Sequence, residues 1–379
     1  MKIISASDSF KGSLTQEKIN QLLKDTAKKV FGDFKMVELL ISDGGEGALD
    51  ALISYKKGKI LQAEVSDPLF RKINARYGVF EDNAVISMSE ASGITLVNED
   101  EKNPYYTTTF GTGELIKKVV LDGYKKVYVT IGGSATNDGG LGVMSALGYK
   151  VYKKDGTLCK GVGKELIDVE KIDCSDSIDT SAVEFIVLSD VTNPLTGEKG
   201  ASKVFAKQKG ATTEMIEELE KGMKNWASVL DKTFNVKTQE IIGGGAAGGL
   251  GAMLYAVLSS KMRSGIEEML NLSGFDEALK DADFVITGEG RIDGQSLDGK
   301  VISGIVNRAK RQGVPVYAIV GSVGENADKL YEKGLDGIYS IINKPDSLEN
   351  VLNNSEKLYS ACAESLFRTI KSIKKNFWR

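Results

Sequence analysis

The stretch that decides the fold is "KIISASDSFKGS", residues 2–13. Its apolar start predicts a short buried strand, and its polar, glycine-containing end predicts the loop that leaves that strand. A helical pattern follows over about residues 14–31, with Ser13 and Gln16 spaced as a capping box. A second strand, "MVELLI", then leads into the loop "DGGEG" and the helix "ALDALISY". This alternation is typical of a parallel sheet with helices packed on it.

The same order of elements returns near the end of the chain. "ADFVIT" predicts a strand, "GEGRIDGQSLDGK" its loop, "VISGIVNRAKRQG" a helix and "VPVYAIVG" another strand. We therefore predict a doubly wound α/β domain built from both chain ends, residues 1–65 and 280–379. Residues 66–279 follow a looser rhythm and are predicted to form a second, mixed α/β domain inserted in the first.

Composition narrows the class of protein. The 379 residues carry 49 basic and 52 acidic side chains, a net charge of -3, which argues against a nucleic-acid partner. No apolar run approaches the roughly 20 residues of a membrane span, and the start of the chain lacks a signal-peptide pattern. Three widely spaced cysteines indicate no disulfide or zinc framework. We expect a cytoplasmic protein with small-molecule partners, which could form a homo-oligomer.

Histidine is absent from the sequence. This excludes Ser-His-Asp and Cys-His catalysis and every imidazole metal site. Acid–base chemistry would have to rest on Asp, Glu, Lys or Tyr side chains.

Acidic side chains follow most of the predicted strands. Ligands of open parallel sheets bind outside the carboxyl ends of the strands. A single acid there is more often a helix cap, but a series of acids beside glycine or basic residues indicates a ligand site. The acids concerned are Asp8, Asp43, Glu46, Asp138, Asp190, Glu289 and Asp293.

The loop "IGGSATNDGGLG", residues 131–142, follows the apolar run "KKVYVT". Bare glycine N–H groups and the start of a following helix are suited to phosphate, and carboxylates are suited to Mg²⁺. Lys11, Arg71 and Lys300 would offset further phosphate charge. The combination indicates phosphoryl transfer, with ATP and Mg²⁺ as cofactors. The predicted ATP-binding residues are Gly132, Gly133, Ser134, Asn137, Gly139, Gly140 and Lys300.

Two other glycine-rich stretches match known patterns only in part. "GGGAAG", residues 243–248, fits G-x-G-x-x-G, but no strand-end acid follows about 20 residues later, as a dinucleotide site would require. "GQSLDGKV", residues 294–301, resembles a P-loop, except that Val301 stands where Ser or Thr would hold the metal ion. Neither a dehydrogenase nor a true P-loop is favoured.

Seven motifs, in order along nearly the whole chain, resemble type I glycerate kinases. They are "DSFKGS" (8–13), "DGGEG" (43–47), "GGSATNDGG" (132–140), "DVTNPLTGEKGAS" (190–202), "QKGAT" (208–212), "GGGAAGGLGA" (243–252) and "TGEGRIDGQSLDGK" (287–300). The resemblance implies a flavodoxin-like domain with a second α/β domain inserted. It also implies ATP- and Mg²⁺-dependent phosphorylation of D-glycerate, with 2-phosphoglycerate the favoured product and the active site in the cleft between the domains.

Roles for individual residues follow from chemistry and position. Asp190, at the end of an apolar strand, is the first choice for the base, Asp293 is the second, and Lys11 is the basic catalytic residue. Arg71 and Arg291 are candidates for binding the substrate carboxylate, with an ordinary surface position as the alternative for Arg71. The remaining predictions are Asn193 and Asp8 for substrate, and Asp138, Asp43 and Glu289 for the metal.

A different class of function is also compatible with these residues. A regulatory protein could bind a sugar acid or a nucleotide without turnover, with the acids as capping groups and the glycines as a hinge. Turnover of D-glycerate with ATP and Mg²⁺ separates the two.

Overall fold

The structure is a computed structural model that describes every residue except Lys11, Asp43, Gly44, Glu46, 298–300, Trp378 and Arg379. No described helix has both the length and the apolar character that crossing a bilayer requires. The strands are β1 Lys2–Ser5, β2 Lys35–Glu38, β3 Lys59–Ser66, β4 Lys72–Phe80, β5 Asn83–Ser87, β6 Lys126–Thr130, β7 Lys150–Lys153, β8 Val169–Asp173, β9 Glu184–Leu188, β10 Lys261–Arg263, β11 Phe284–Thr287, β12 Arg291–Ile292, β13 Val316–Val320, β14 Ser322–Val323 and β15 Gly337–Ser340.

Helices alternate with these strands along the chain. They are α1 Gln16–Phe31, α2 Ala48–Tyr55, α3 Ser89–Ser92, α4 Phe110–Leu121, α5 Leu141–Ala146, α6 Ala201–Phe205, α7 Thr213–Phe234, α8 Leu250–Leu258, α9 Gly265–Leu272, α10 Phe275–Leu279, α11 Val301–Arg311, α12 Lys329–Lys333, α13 Leu348–Asn353 and α14 Ser355–Phe377.

The chain divides into two compact units. The terminal unit comprises Met1–Ser42 and Ile266–Arg379, and the middle unit comprises Asp43–Gly265. The boundaries between the units differ from the predicted ones, which were after residues 65 and 279. The packing of three helices, α2, α9 and α10, explains the difference. Helix α2 contacts β4 and β5 of the middle unit, where Ile53 lies against Gly78. Helices α9 and α10 instead contribute Leu270 and Phe275 to the core of the terminal unit.

The terminal unit contains a five-stranded sheet in the order β15-β13-β11-β1-β2, with every pairing parallel. Numbered along the chain, this order is 2-1-3-4-5, which is the flavodoxin-like order of doubly wound folds. The predicted fold class is therefore confirmed.

Neighbouring residues of β1 belong to cores on opposite faces of this sheet, as the two-residue period of a strand requires. Ile3 packs with Ile19 of α1 and Phe367 of α14. Ile4 packs with Ile302 of α11. Because both faces are covered by helices, the strands are short apolar runs, and their carboxyl ends are left for polar loops.

Local details at two helices differ from the sequence-based expectation. Thr15, not Ser13, caps α1, and its hydroxyl accepts a hydrogen bond from the backbone N–H of Lys18. The Gln16 side chain is used instead in a buried pair of hydrogen bonds with the backbone of Ile41. The spacing of apolar residues over about 348–377 is typical of one long amphipathic helix. The structure has two helices there, α13 and α14.

The middle unit contains a mixed six-stranded sheet in the order β10-β9-β6-β5-β4-β3. Strands β3, β4 and β5 pair antiparallel, whereas β5, β6, β9 and β10 pair parallel. Val129 of β6 and Val187 of β9 are fully buried in one core with residues of α4, α5, α7 and α8. The loops after the adjacent strands β6 and β9 therefore leave the same edge of this sheet.

Candidate active site

The loop after β6 begins with an exposed turn. Gly132 is half-buried, Gly133 is exposed, and Ser134 is half-buried. The backbone N–H groups of these three residues donate hydrogen bonds to none of the residues that the structure describes. Gly133 has a φ of +74°, and among the described residues a Cβ added to it would have only Ser89 Cβ within 4 Å, at 3.6 Å. This turn, residues 132–134, presents unpaired donors in open space, as an anion-binding concavity does.

The second half of the same loop, residues 135–140, is buried. A Cβ added to Gly139 would lie 2.4 Å from Cδ1 of Trp226, whose indole N–H donates to the Gly139 carbonyl over 2.9 Å. A Cβ added to Gly140 would lie 2.8 Å from the Met253 side chain. These two glycines are needed for close packing and for their left-handed backbone, with φ of +61° and +77°.

Asp138 is fully buried, and both of its carboxylate oxygens accept hydrogen bonds. Oδ2 accepts from the Thr109 N–H and hydroxyl, each over 2.8 Å, and from the Gly142 N–H over 3.2 Å. Oδ1 accepts from the Gly140 N–H over 3.2 Å. Burial raises the pKa of this carboxyl, and these hydrogen bonds oppose the rise.

This arrangement alters two expectations from the sequence. The carboxylate of Asp138 braces the loop, which does not favour the predicted metal role. The first N–H groups of α5 already have partners: Gly142 donates to this carboxylate, Leu141 to the Asp138 carbonyl and Val143 to the Thr109 hydroxyl. This does not favour binding of an external phosphate at the start of that helix.

Lys209 is the functional candidate that sequence reasoning missed. Its side chain is only 2% exposed, and its ammonium donates to the Ser134 hydroxyl and to the Thr136 carbonyl, both over 2.6 Å. Burial lowers its pKa to about 7, and the charge of Asp138 opposes that shift. The one sequence signal was the motif "QKGAT", which contains Lys209 but follows no strand.

Asn137 is also fully buried. Its amide donates to the Ser202 hydroxyl of α6 over 3.0 Å. Its carbonyl oxygen Oδ1 has no hydrogen-bond partner among the described residues. The predicted direct contact of this side chain with ATP therefore has no exposed atom to support it.

Asp190 and Asn193 lie in the loop after β9. Oδ1 of Asp190 accepts a hydrogen bond from the Ser264 hydroxyl over 2.6 Å. The Asn193 amide donates to the Lys199 carbonyl over 2.8 Å. The structure thus places these two side chains at the same sheet edge as the exposed turn, because β6 and β9 are neighbours.

The glycine-rich stretch 243–249 packs against these loops. A Cβ added to Gly245 would lie 2.2 Å from the Pro194 carbonyl, and one added to Gly248 would lie 2.1 Å from the Thr136 carbonyl. Backbone atoms also meet directly, since the Gly139 N–H donates to the Gly248 carbonyl over 2.9 Å. The G-x-G-x-x-G pattern here serves close backbone packing, in agreement with the rejection of a dinucleotide site.

Arg71 is bound on all sides of its guanidinium. Nε contacts Asp67 at 2.5 Å, Nη1 contacts Glu101 at 2.9 Å, and Nη2 donates to the Leu96 carbonyl over 3.0 Å. These contacts match the surface alternative better than the predicted substrate role.

In the terminal unit, the polar candidates follow the adjacent strands β1 and β11. Oδ1 of Asp8 accepts from the Ser9 N–H over 2.7 Å, and Glu289 accepts from the Ser296 hydroxyl over 2.5 Å. Arg291, with its side chain 67% exposed, lies 3.4 Å from Asp293. The predicted residues Lys11, Asp43 and Lys300 lie outside the described residues. Within the described part of the chain, no group of three acidic or cysteine side chains could hold a metal ion.

Comparison with known proteins identifies the class. A profile of the glycerate kinase family matches residues 3–371. A glycerate kinase from Bacillus cereus is 39% identical over 378 residues, which cover 98% of this chain and 97% of that relative. A glycerate 2-kinase from Escherichia coli is 38% identical over 359 residues, 94% of each chain. The crystal structure of a protein assigned as glycerate kinase 2 from Salmonella typhimurium LT2 has a TM-score of 0.82 at 39% identity, with 99% of both chains covered.

These matches extend over nearly the whole chain. The protein is therefore an enzyme of the kinase class, built from two α/β units. The chain belongs to the glycerate kinase family. The resemblance noted in its motifs is confirmed.

Proposed function

We propose that this chain transfers a phosphoryl group from ATP to D-glycerate in a Mg²⁺-dependent reaction and forms 2-phosphoglycerate. The observation that carries the proposal is the exposed turn 132–134, whose three N–H groups donate to none of the described residues, together with the buried ammonium of Lys209. The name of the Escherichia coli relative, glycerate 2-kinase, supports the 2-position.

The exposed turn fits a phosphate chain. Phosphate oxygens accept hydrogen bonds from successive backbone N–H groups and are stabilised by nearby positive charge. A Cβ on Gly133 would contact Ser89 Cβ at 3.6 Å and no other described atom within 4 Å, so the described residues leave room for an anion to approach the backbone. ATP bound there would supply the phosphoryl group, and the turn would neutralise charge and fix orientation. Of the predicted ATP ligands, this favours Gly132, Gly133 and Ser134 over Asn137, Gly139 and Gly140.

The acids of the terminal unit fit Mg²⁺ better than Asp138 does. Mg²⁺ uses one or two protein carboxylates and keeps several waters, so a preformed group of three acids is not required. Glu289 and Asp8 are each half-buried at the carboxyl end of a parallel strand. We propose these two, with Asp43, as metal-binding candidates.

The substrate hydroxyl needs a base, and without histidine a carboxylate must supply it. Asp190 remains the first choice because it lies at the sheet edge that carries the exposed turn, and Asp293 remains the second. Arg291 is the better candidate for the glycerate carboxylate, because its guanidinium is largely exposed whereas that of Arg71 is fully engaged. Asn193, Lys11 and Lys300 keep their proposed roles.

Purified protein tests the proposal directly. With ATP, Mg²⁺ and D-glycerate we expect ADP release, and phosphorus and carbon NMR of the product should show phosphate on the 2-hydroxyl. Asp190→Asn should lower kcat by roughly 10²-fold or more without unfolding the protein. Binding of ATP or glycerate without ADP release across several divalent metals would favour the regulatory alternative and overturn the proposal.

A further inference from the structure

Lys209 is placed in the interior by its own segment of chain. It ends the 3₁₀ turn Lys207–Lys209, and the next residue, Gly210, has a φ of +93°. A Cβ added to Gly210 would lie 2.2 Å from the Lys102 carbonyl, so the reversal requires glycine. The Lys209 side chain therefore extends toward residues 134–136, where its ammonium binds Ser134 and Thr136, more than 70 positions earlier in the sequence.

Burying this ammonium has a cost that packing alone does not explain. Desolvation disfavours the charged form, and among the described residues the charge that acts favourably on it is that of the buried Asp138. A methionine of similar length would fill the same space without that cost. The retained charge therefore needs a function at the surface that it supports.

The hydrogen bond to Ser134 sets the direction of the serine hydroxyl. In its protonated form Lys209 can only donate, so Oγ of Ser134 then accepts from the ammonium over the 2.6 Å contact. The hydroxyl proton of Ser134 is then left for another acceptor, and none of the described residues takes it. Ser134 is half-buried and directly follows the exposed glycines.

We propose that Lys209 is a positioning residue for phosphate binding: it orients the Ser134 hydroxyl as a donor toward the phosphates of ATP and places positive charge beneath the turn 132–134. This inference rests on the proposed function, in which that turn binds the nucleotide. Lys209 acts through Ser134 and the turn, and it touches neither substrate in the proposed arrangement.

The test is a cycle of variants read in steady-state kinetics. Lys209→Met should raise KM for ATP about 10-fold or more, since a charge-assisted hydrogen bond is lost, while KM for D-glycerate stays within twofold. Ser134→Ala should raise KM for ATP about threefold in the wild-type background and have almost no effect in the Lys209→Met background.

Thr107→Val is the matched control. The buried Thr107 hydroxyl donates to the Ala135 carbonyl over 2.9 Å, so it braces the same loop without a charge and without contacting Ser134. Its KM for ATP should stay within twofold of wild type. An equal rise of KM for ATP in Thr107→Val and Lys209→Met would assign Lys209 to loop bracing alone and overturn the inference.

The outcomes remain distinguishable if Lys209→Met fails to fold. Ser134→Ala removes only a half-buried hydroxyl and carries the test alone: an unchanged KM for ATP overturns the inference, and a raised one with unchanged Tm supports it. Failure of the proposed function appears differently, as absence of glycerate-dependent ADP release in the wild-type protein.

Discussion

The two halves of the glycine loop after β6 each contain two glycines but have opposite surroundings. Residues 132–134 are half-buried or exposed, with N–H groups that no described residue uses, whereas residues 135–140 are buried, with Gly139 against Trp226 and Gly140 against Met253. Glycine in the first half leaves room for an anion, and glycine in the second half leaves room for neighbouring side chains. Substitutions in the two halves should therefore affect different properties.

Gly139→Ala should have the largest effect on stability. Its methyl group would overlap the Trp226 ring at 2.4 Å, and the residue would have to keep a φ of +61°. Overpacking and left-handed backbone strain together should lower the free energy of unfolding by about 3 kcal/mol. Urea unfolding measures this loss. A loss below about 1 kcal/mol would mean that the second half of the loop is not tightly packed.

Asp138→Asn should come next. The amide cannot accept at both positions, so at least one of the buried N–H donors from Thr109, Gly140 and Gly142 loses its partner, at about 2–3 kcal/mol. The Mg²⁺ concentration for half-maximal activity should not change. Asp122→Asn, on an exposed carboxylate paired with Lys118, is the control and should cost under about 0.5 kcal/mol. A markedly higher Mg²⁺ requirement in Asp138→Asn would restore its metal role.

The pH dependence of the free energy of unfolding should show whether Lys209 is a buried group that titrates in the folded protein. Folding lowers its pKa from 10.5 to about 7, so between these values the unfolded chain binds more protons than the folded chain. Stability must therefore rise with pH in this window, by about 2 kcal/mol from pH 7 to pH 9. Urea unfolding at both pH values should show this rise in the wild type relative to Lys209→Met. Parallel pH profiles for the two proteins would contradict a buried, titrating ammonium.

Gly133→Ala should have the smallest effect on stability and a clear effect on nucleotide binding. Of the atoms that the structure describes, the added methyl group meets only Ser89 Cβ, at 3.6 Å, so the cost is the left-handed backbone, about 1 kcal/mol. ATP affinity, measured by calorimetry, should nevertheless fall because the methyl group occupies the space that the anion would approach. Retained affinity together with a collapsed Tm would show that the glycine serves only the turn.

Much of the fold could be predicted from local patterns. The helix "ALDALISY" has the predicted bounds, Ala48–Tyr55, and the strand predicted at "ADFVIT" forms over Phe284–Thr287. The spacing of apolar residues predicts which face of a helix or strand is buried, and a few neighbouring residues are enough to define that spacing. The unit to which α2 belongs depends on its contact with Gly78 of β4, which no local pattern contains.

Less of the candidate site could be predicted from local sequence patterns. Reading acids at strand ends selected Asp190 and Glu289 as candidates, and the structure places both at the carboxyl ends of strands. The same rule also selected Asp138, whose oxygens are taken by N–H groups and the Thr109 hydroxyl. Reading acids at strand ends does not take burial into account, because the burial of a side chain depends on residues from distant parts of the chain.

By itself, the sequence determined the alternation of strands and helices, the restriction to carboxylate and lysine chemistry in the absence of histidine, and the motifs of the family. Hydrophobic period and residue type are local properties, readable without contacts. Only the tertiary structure decided which glycines face solvent, that Asp138 braces its own loop, and that Lys209 supports Ser134 from 75 positions away. Those outcomes depend on which distant side chains the folded chain brings together, and on the water that their contact excludes.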